Sequence, residues 1–517
     1  MILAIERFSA ILRLLQRFPI LSLLLLGALS TLALAPVDAW WVVLLTVPLA
    51  LSVLQPAPKQ KLWHSFWRGW CFGFGYFVAA LHWIGFAFLV DIARDLWMMP
   101  IALGGLAAYL ALYWGAAALL AGIAARRGVA FWLAAPVAFI GLEWLRGHLL
   151  TGFPWADFGQ AVDGMGGVAQ LASLIGMNGL TFLIWLWGAA VLGVLSGFRK
   201  ERLAAAIILA TLPFSYAWGE WTLASHPTLY VPDVTLRLIQ PNISQNDKWR
   251  EGNARAIFEQ LKTMTAAPSS TGRPVTHIIW PESSIPFLID ESAAGRAELA
   301  GILKPGQTLL AGAVRRDAPQ ENAHYFTSIL VFNDKAEVLS HYDKWHLVPG
   351  GEFLPWAWLL EPLGLRKVVS LPESFTPGPG PTTLPVPGAG TAGMSICYEA
   401  IFPGAIADPA LRPSWLVNVT NDGWFGKSVG PYQHVAQVRL RAIELGLPVA
   451  RAANTGISAV IDSRGRQTFT SQLGTTGAFD LELPQSSQPT VYAAAPDFGL
   501  VLLVSLVIIL GGCLKRR

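Results

Sequence analysis

Eight long, predominantly apolar windows of this chain contain no Asp, Glu, Lys or Arg: 18–37, 39–58, 69–90, 96–125, 128–142, 164–198, 203–219 and 498–514. A helix needs about 20 apolar residues to cross the hydrocarbon core of a bilayer. Each window therefore predicts one crossing, seven before residue 220 and an eighth at the C-terminus. The window 164–198 exceeds a single span, and its glycine-rich first part reads as a loop or re-entrant piece. The chain is 53% hydrophobic and only 14% charged, whereas soluble domains carry about a quarter charged residues.

Basic residues set the predicted orientation, because Lys and Arg accumulate in cytoplasmic loops. With the N-terminus inside, the inner loops hold Arg7, Arg13, Arg17, Lys59, Lys61, Arg68, Arg126, Arg127, Arg199, Lys200, Arg202 and the terminal Lys515, Arg516 and Arg517. The opposite loops hold Arg94 and Arg146. Both termini are thus expected inside, with segment 220–496 outside. The net charge of +4 splits as +5 for residues 1–219, −4 for 220–514 and +3 for the last three residues. The polar segment is slightly acidic and lacks the basic face that nucleic-acid binding requires. The first span has no cleavage site after it and reads as a retained anchor.

Three domains are expected: a seven-span membrane domain over 1–219, a polar domain over 220–496, and an eighth span with a basic tail over 497–517. Within the polar domain, "VTLRLIQPN", "THIIWPE", "QTLLAGAV", "HYFTSILVF", "TAGMSICYE", "SWLVNVTND", "PVARAAN" and "ISAVIDSRG" read as strands. Helical patterns cover Ala254–Ala267 and Tyr432–Leu445. Several strands end in polar clusters, and sites in α/β sheets assemble at strand ends.

Cys397 stands in one of these clusters. The other cysteines, Cys71 and Cys513, lie in predicted spans and cannot reach it, so no intramolecular disulfide is expected. No Cys/His pair stands nearby at zinc-ligand spacing. The residue is either a packing cysteine or a nucleophile. Two further stations bear on the choice. "WPESSIP" puts Glu282 at a strand end between two prolines, and "HYDKWHLVPGGEFLP" puts Lys344 after a hairpin strand with Glu352 eight residues on. A thiol near its ordinary pKa is mostly protonated. Acyl transfer would need a carboxylate to take its proton and a cation to hold the oxyanion.

Glu282 in "WPES", Lys344 in "YDKWHLVPGGEF" and Cys397 in "SICYE" resemble the Glu–Lys–Cys triad of the nitrilase superfamily. The whole arrangement of seven spans, such a domain and a final span resembles the apolipoprotein N-acyltransferase family; "LVPGGEFLP", "NDGWFG" and "RAIELGLPVARAANTGIS" extend the likeness. It implies an α-β-β-α sandwich facing the periplasm from the inner membrane, acting without metal or cofactor. Nitrilase relatives oligomerise, but the membrane helices around the domain lead to the expectation of a monomer. Cys397 would attack the sn-1 ester of a phospholipid such as phosphatidylethanolamine, Glu282 would take the thiol proton and Lys344 would hold the oxyanion. The thioester would then acylate the α-amine of the S-diacylglyceryl cysteine of an apolipoprotein. The resemblance also assigns supporting places to Glu352, Tyr398, Glu399 and Trp424, and a lipid-entrance place to Trp249. Phe425 joins the entrance as one of the aromatics of "DGWFG". Glu143 and Arg146, at i, i+3 spacing, read either as a structural ion pair or as a contact to lipid headgroups. "PGGEF" departs from the family in having Gly-Gly where an aromatic is often found. A membrane-anchored amidase using water is the competing enzyme reading, and one anchor would suffice for it. A transporter is disfavoured by the nearly charge-free spans.

Overall fold

The computed structural model describes residues 12–514 apart from 58, 197, 249, 251, 319–322 and 365–374. Trp249, expected at the lipid entrance, lies outside the described residues. The chain divides into two compact units. One comprises the residues up to Trp83, Met99–Pro227 and the residues from Thr490; the other comprises Ile84–Met98 and Thr228–Pro489.

The first unit is helical. Each of these uncharged windows carries an apolar helix, and among the described residues four helical stretches are long and apolar enough to cross a membrane: Trp63–Leu89, Ile92–Arg126, Phe158–Leu195 and Arg199–Ser225. The first two include residues of Ile84–Met98, which groups with the second unit. Pro19–Ala33, Trp40–Leu54 and Phe498–Cys513 are shorter apolar helices, as is Phe131–Arg146. The glycine-rich start of the sixth window is irregular: Phe158–Leu171 runs in tight 3-10 turns broken at Gly166, and the following helix kinks at Gly176. Glu143 and Arg146 are buried and paired, with Arg146 Nε 2.9 Å from Glu143 Oε2. The same guanidinium contacts Asp157 and donates to the Trp155 carbonyl at 3.0 Å. Buried charges far from water persist when partnered in this way, and the pair ties the end of its helix to the loop that follows.

The second unit is built on two six-stranded sheets. In the first, β1 (Tyr230–Gln240), β2 (His277–Ile285), β3 (Thr308–Arg316), β4 (Tyr325–Phe332) and β5 (Val338–Asp343) lie side by side in chain order. The second holds β6 (Thr383–Pro385), β7 (Thr391–Ile396), β8 (Trp415–Thr420), β9 (Val449–Ala453), β10 (Ala459–Ile461) and β11 (Gln467–Thr470), also in order. The last strand, β12 (Gly477–Pro484), returns to pair antiparallel with β1. β1, β2 and β3 run parallel, as do β7, β8 and β9. The turns "FNDKAE" and "DSRGR" close the antiparallel β4–β5 and β10–β11 pairs.

Alternation places one face of each sheet against the other. Leu236, Leu238, Ile279, Leu310 and Val331 from the first sheet meet Met394, Ile396, Val417, Val419 and Ala452 from the second in one core. On the outer face of the first sheet, Ile278, Trp280 and Leu309 pack against Phe258 and Leu261 of helix Asn253–Ala266. Helix Gly430–Leu445, which is almost wholly buried, packs outside the second sheet against β9 and β10. The layers are helix, sheet, sheet, helix. Glu282 lies in the C-terminal half of β2, where its pairing breaks, and Lys344 and Cys397 directly follow β5 and β7.

Candidate active site

Glu282 sits where the β2–β3 pairing breaks. The register is regular to Trp280–Ala311 and resumes only at Ile285–Ala313. Pro281 has no N–H to donate, and Ser283 adopts φ +45°. The bulge needs room on β3, and Gly312 supplies it: a Cβ there would lie 2.2 Å from the Pro281 carbonyl oxygen. Ser284 Oγ donates to the Gly312 carbonyl at 2.9 Å. The Glu282 carbonyl accepts instead from Lys248 Nζ at 3.2 Å. Lys248 is buried; desolvation pulls its ammonium down to about 8, against the opposing pull of Glu282 and Cys397.

Lys344 follows β5 directly. Its backbone N–H donates to the Thr327 carbonyl at 2.9 Å, and its own carbonyl accepts from Gly378 N–H at 2.9 Å. The side chain, 1% exposed, ends between two carboxylates: Nζ is 2.8 Å from Glu352 Oε1 and 3.3 Å from Glu282 Oε1. Burial works against the ammonium, but Glu352 and Glu282 outweigh it and hold its pKa above the ordinary lysine range. The turn from Val348 to Glu352 closes on itself, with Val348 N–H donating to Glu352 Oε2 at 2.8 Å. Burial raises the Glu352 carboxyl, and Lys344 offsets part of the rise.

Cys397 is the first residue past β7, at φ +51°, a conformation uncommon for any residue with a side chain. The strand stops abruptly, a short 3-10 turn Cys397–Ile401 begins, and the thiol is presented at the sheet end. Burial and the charge of Glu282 push the thiol well above its ordinary pKa, while Lys344 pulls the other way. A thiol shifted in this direction favours its protonated form, and to act as a nucleophile it would need a base in contact.

Glu399 ties these stations together. It is fully buried and accepts from Ile396 N–H at 2.7 Å, Trp345 N–H at 2.8 Å, His346 N–H at 3.2 Å and Tyr342 O–H at 2.8 Å. It thus joins the end of β7 to the segment carrying Lys344, and it also caps the 3-10 turn at its N-terminus. Burial lifts its pKa from 4.5 to about 7. A carboxyl raised on folding contributes stability below its unfolded pKa and loses it as pH rises through the folded value. Glu399→Gln should therefore abolish a decline in stability of about 3 kcal/mol between pH 4.5 and 7. Thermal melts of both proteins across that range check this; parallel curves contradict it.

Tyr398 and Phe402 form an edge-to-face pair at 5.2 Å. Trp424 and Phe425 lie half-buried in the turn Asp422–Phe425. Gly426 closes that turn at φ +60°, where a Cβ would meet the Phe86 ring at 2.4 Å; Phe86 belongs to the Ile84–Met98 segment of the same unit.

The site contains groups that spacing alone does not reveal. Asp422, His434 and Arg451 are all fully buried beneath Cys397. Atoms of Cys397, Asp422 and His434 lie within 4.8 Å of one another, a spacing open to a metal ion. The position is already served by a cation, however. Arg451 Nη2 is 2.7 Å from Asp422 Oδ2 and 3.1 Å from His434 Nδ1, so a second cation there would face a fixed positive charge. All three cysteines are free. "NDGWFG", "GPYQH" and "PVARAAN" hold the only linear signal for this cluster; its members come from β9, the turn after β8 and the helix between them.

The first unit overlaps a match to the apolipoprotein N-acyltransferase N-terminal domain over residues 26–190, and the second a match to the carbon-nitrogen hydrolase domain over residues 235–487. A Rhodopseudomonas palustris protein named apolipoprotein N-acyltransferase is 41% identical over 95% of this chain and 94% of its own length. One of the same name from Bradyrhizobium diazoefficiens is 42% identical, with the same coverage of both chains. Among solved structures, a mutant of the amidase from Nesterenkonia sp. AN1 matches 50% of this chain and 93% of its own at 17% identity and a TM-score of 0.35.

Proposed function

The chain belongs to the apolipoprotein N-acyltransferase family, and we propose that Cys397, Glu282 and Lys344 carry its reaction. It is an acyltransferase of lipoprotein biosynthesis, a membrane protein whose substrates are a phospholipid and a lipoprotein. The observation that carries the residue assignment is the arrangement at the β2 bulge and the ends of β5 and β7. An ammonium is held 3.3 Å from one carboxylate and 2.8 Å from another, beside a thiol on a left-handed residue.

The steps follow from what each group can do. Glu282 takes the Cys397 proton as Sγ forms a bond to the sn-1 ester carbon. Lys344 Nζ donates to the oxygen that becomes negative, a contact stronger in the transition state than in the ground state. When the tetrahedral centre collapses, the C–O bond breaks and Glu282 returns the proton to the departing lysophospholipid. The α-amine of the diacylglyceryl cysteine then attacks the thioester. Its proton passes to Glu282, the C–S bond breaks, and the proton returns to sulfur. Glu352 keeps Lys344 charged and aimed, and Glu399 holds the Lys344 segment in register with β7.

The membrane unit answers the substrates. Each buried CH₂ of an acyl chain is worth about 0.8 kcal/mol, so donor and acceptor stay in lipid and the thiol must work at the bilayer surface. Eight crossings with both termini inside put the catalytic unit in the periplasm, with the helical unit in the inner membrane. Phosphatidylethanolamine is the proposed donor and a monomer the proposed working form. Trp249, Trp424 and Phe425 remain proposed contributors to substrate entry, whereas the buried pairing of Glu143 and Arg146 supports the structural reading of that pair.

Incubating the purified protein with phospholipid and a diacylglyceryl peptide tests the reading. N-acylated peptide and lysophospholipid in equal amounts are expected. Free fatty acid without acylated peptide would make the protein a hydrolase instead.

A further inference from the structure

Two carbonyls at the site are gripped by buried side chains, and that of Cys397 is the more telling. His434 Nε2 lies 3.0 Å from it. A carbonyl only accepts, so Nε2 carries the hydrogen in either protonation state of the ring. The other ring nitrogen, Nδ1, lies 2.9 Å from Asp422 Oδ1 and 3.1 Å from Arg451 Nη2. Thr420 Oγ1 donates to Asp422 Oδ1 at 2.9 Å, and Arg451 Nε donates to the Ile457 carbonyl at 3.1 Å. Each member is anchored to a different element, and none is exposed. Burial raises the Asp422 carboxyl, but Arg451 and His434 overcome this and hold it down to about 2. Asp422 therefore stays charged and the cluster keeps its form across the neutral range.

Within this cluster His434 Nε2 is directed at the Cys397 carbonyl, and that peptide group belongs to a residue in a sparsely populated backbone conformation. Such strain persists only where surrounding contacts over-determine it. Fixing the carbonyl fixes the peptide plane, and with it the direction in which Cys397 projects its thiol. We propose that His434 is a positioning residue for acyl transfer: its Nε2–H holds the Cys397 carbonyl so that the left-handed residue aims Sγ at the acyl carbon, while Asp422 and Arg451 hold the imidazole. The proposal rests on Cys397 being the nucleophile. It gives the histidine no proton to transfer.

The test uses the full-length protein in lipid nanodiscs, with His434→Leu and His434→Gln. Glutamine reaches the Nε2 position with an N–H donor; leucine fills the space with none. His434→Leu should lower kcat about 10²-fold, the scale of a misplaced reacting group, with KM for the phospholipid within about threefold of wild type. Alkylation of Cys397 by iodoacetamide, followed by mass spectrometry, should slow in the same variant. His434→Gln should recover activity to within about tenfold of wild type, and this arm decides the question if the leucine variant does not fold. Wild-type kcat and alkylation rate in His434→Leu would overturn the proposal. So would a folded His434→Gln as inactive as Cys397→Ala. If wild-type enzyme keeps transferring acyl groups after complete alkylation of Cys397, the nucleophile assignment itself fails, whatever the histidine variants do.

Discussion

Cys397→Ser should fold, insert in the membrane and melt like the wild type, yet transfer acyl groups about 10⁴-fold more slowly or not at all, the scale on which loss of a covalent nucleophile acts. The substitution exchanges one small side chain for another in a buried position, so packing changes little. Chemistry changes more. Serine's hydroxyl is a much weaker acid than a thiol, and here burial and the charge of Glu282 already oppose ionisation. The carboxylate that can take a thiol proton cannot serve the hydroxyl as well. N-acylation of a diacylglyceryl peptide, followed by mass spectrometry, reads the loss. Full turnover by the serine variant would discard the covalent scheme.

Lys344→Ala should fail in two ways at once. Loss of the oxyanion donor should cost about 10²–10³ in kcat. Loss of the ammonium also leaves Glu282 and Glu352 facing one another, buried, with the charge between them gone. Breaking a buried pair by removing one partner typically costs about 3–5 kcal/mol. The sign of the pH dependence follows from the raised pKa of Lys344. Its contribution is fully present at neutral pH and fades only as pH rises above the ordinary lysine range. The Lys344 contribution should thus be constant through neutrality and shrink in strong alkali, while the two buried carboxylates left behind should make the variant lose stability as pH rises above the carboxylate range. Lys344→Ala with Glu352→Gln should recover stability without recovering kcat, because one of the orphaned charges is gone but the oxyanion donor is still missing. Denaturant melts and steady-state kinetics on the two variants separate the effects. Equal recovery of both would give Lys344 a structural role only.

The legible part of this protein is the part encoded by local pattern. Uncharged windows mark the apolar helices because lipid admits few charges, and β-branched runs mark the parallel strands of both sheets because those strands are buried on two faces. The positions of Lys344 and Cys397 just past a strand are legible because both strands are recognisable, whereas Glu282, expected at a strand end, lies at a bulge inside β2, which runs on to Ile285. β6, β11 and β12 are short or exposed on one face, and "GAFDLELP" alternates too weakly to announce a strand that closes the first sheet beside β1. The Ile84–Met98 segment takes in the end of one uncharged window and the start of the next, yet packs with the second unit, a grouping made in three dimensions and invisible to hydropathy. Lys248, Asp422, His434 and Arg451 stand at four separate places in the chain. Their convergence depends on the bulge in β2 and the parallel β8–β9 pairing, neither of which a linear motif states.

Glu399 acts both within its own turn and across to the Lys344 segment. One oxygen caps the turn through Ile396 N–H, and the other receives the two backbone N–H groups beside Lys344. The same carboxylate serves local and tertiary structure, which spacing along the chain cannot distinguish.

Intact-protein mass spectrometry after mixing the enzyme with a phospholipid of defined chains, with no acceptor present, tests the account most directly. The mass should rise by one acyl group, the label should map to Cys397, and it should disappear when a diacylglyceryl peptide is added. Cys397→Ala should show no gain. Acyl transfer without any such adduct, or an adduct that persists in Cys397→Ala, would contradict the account.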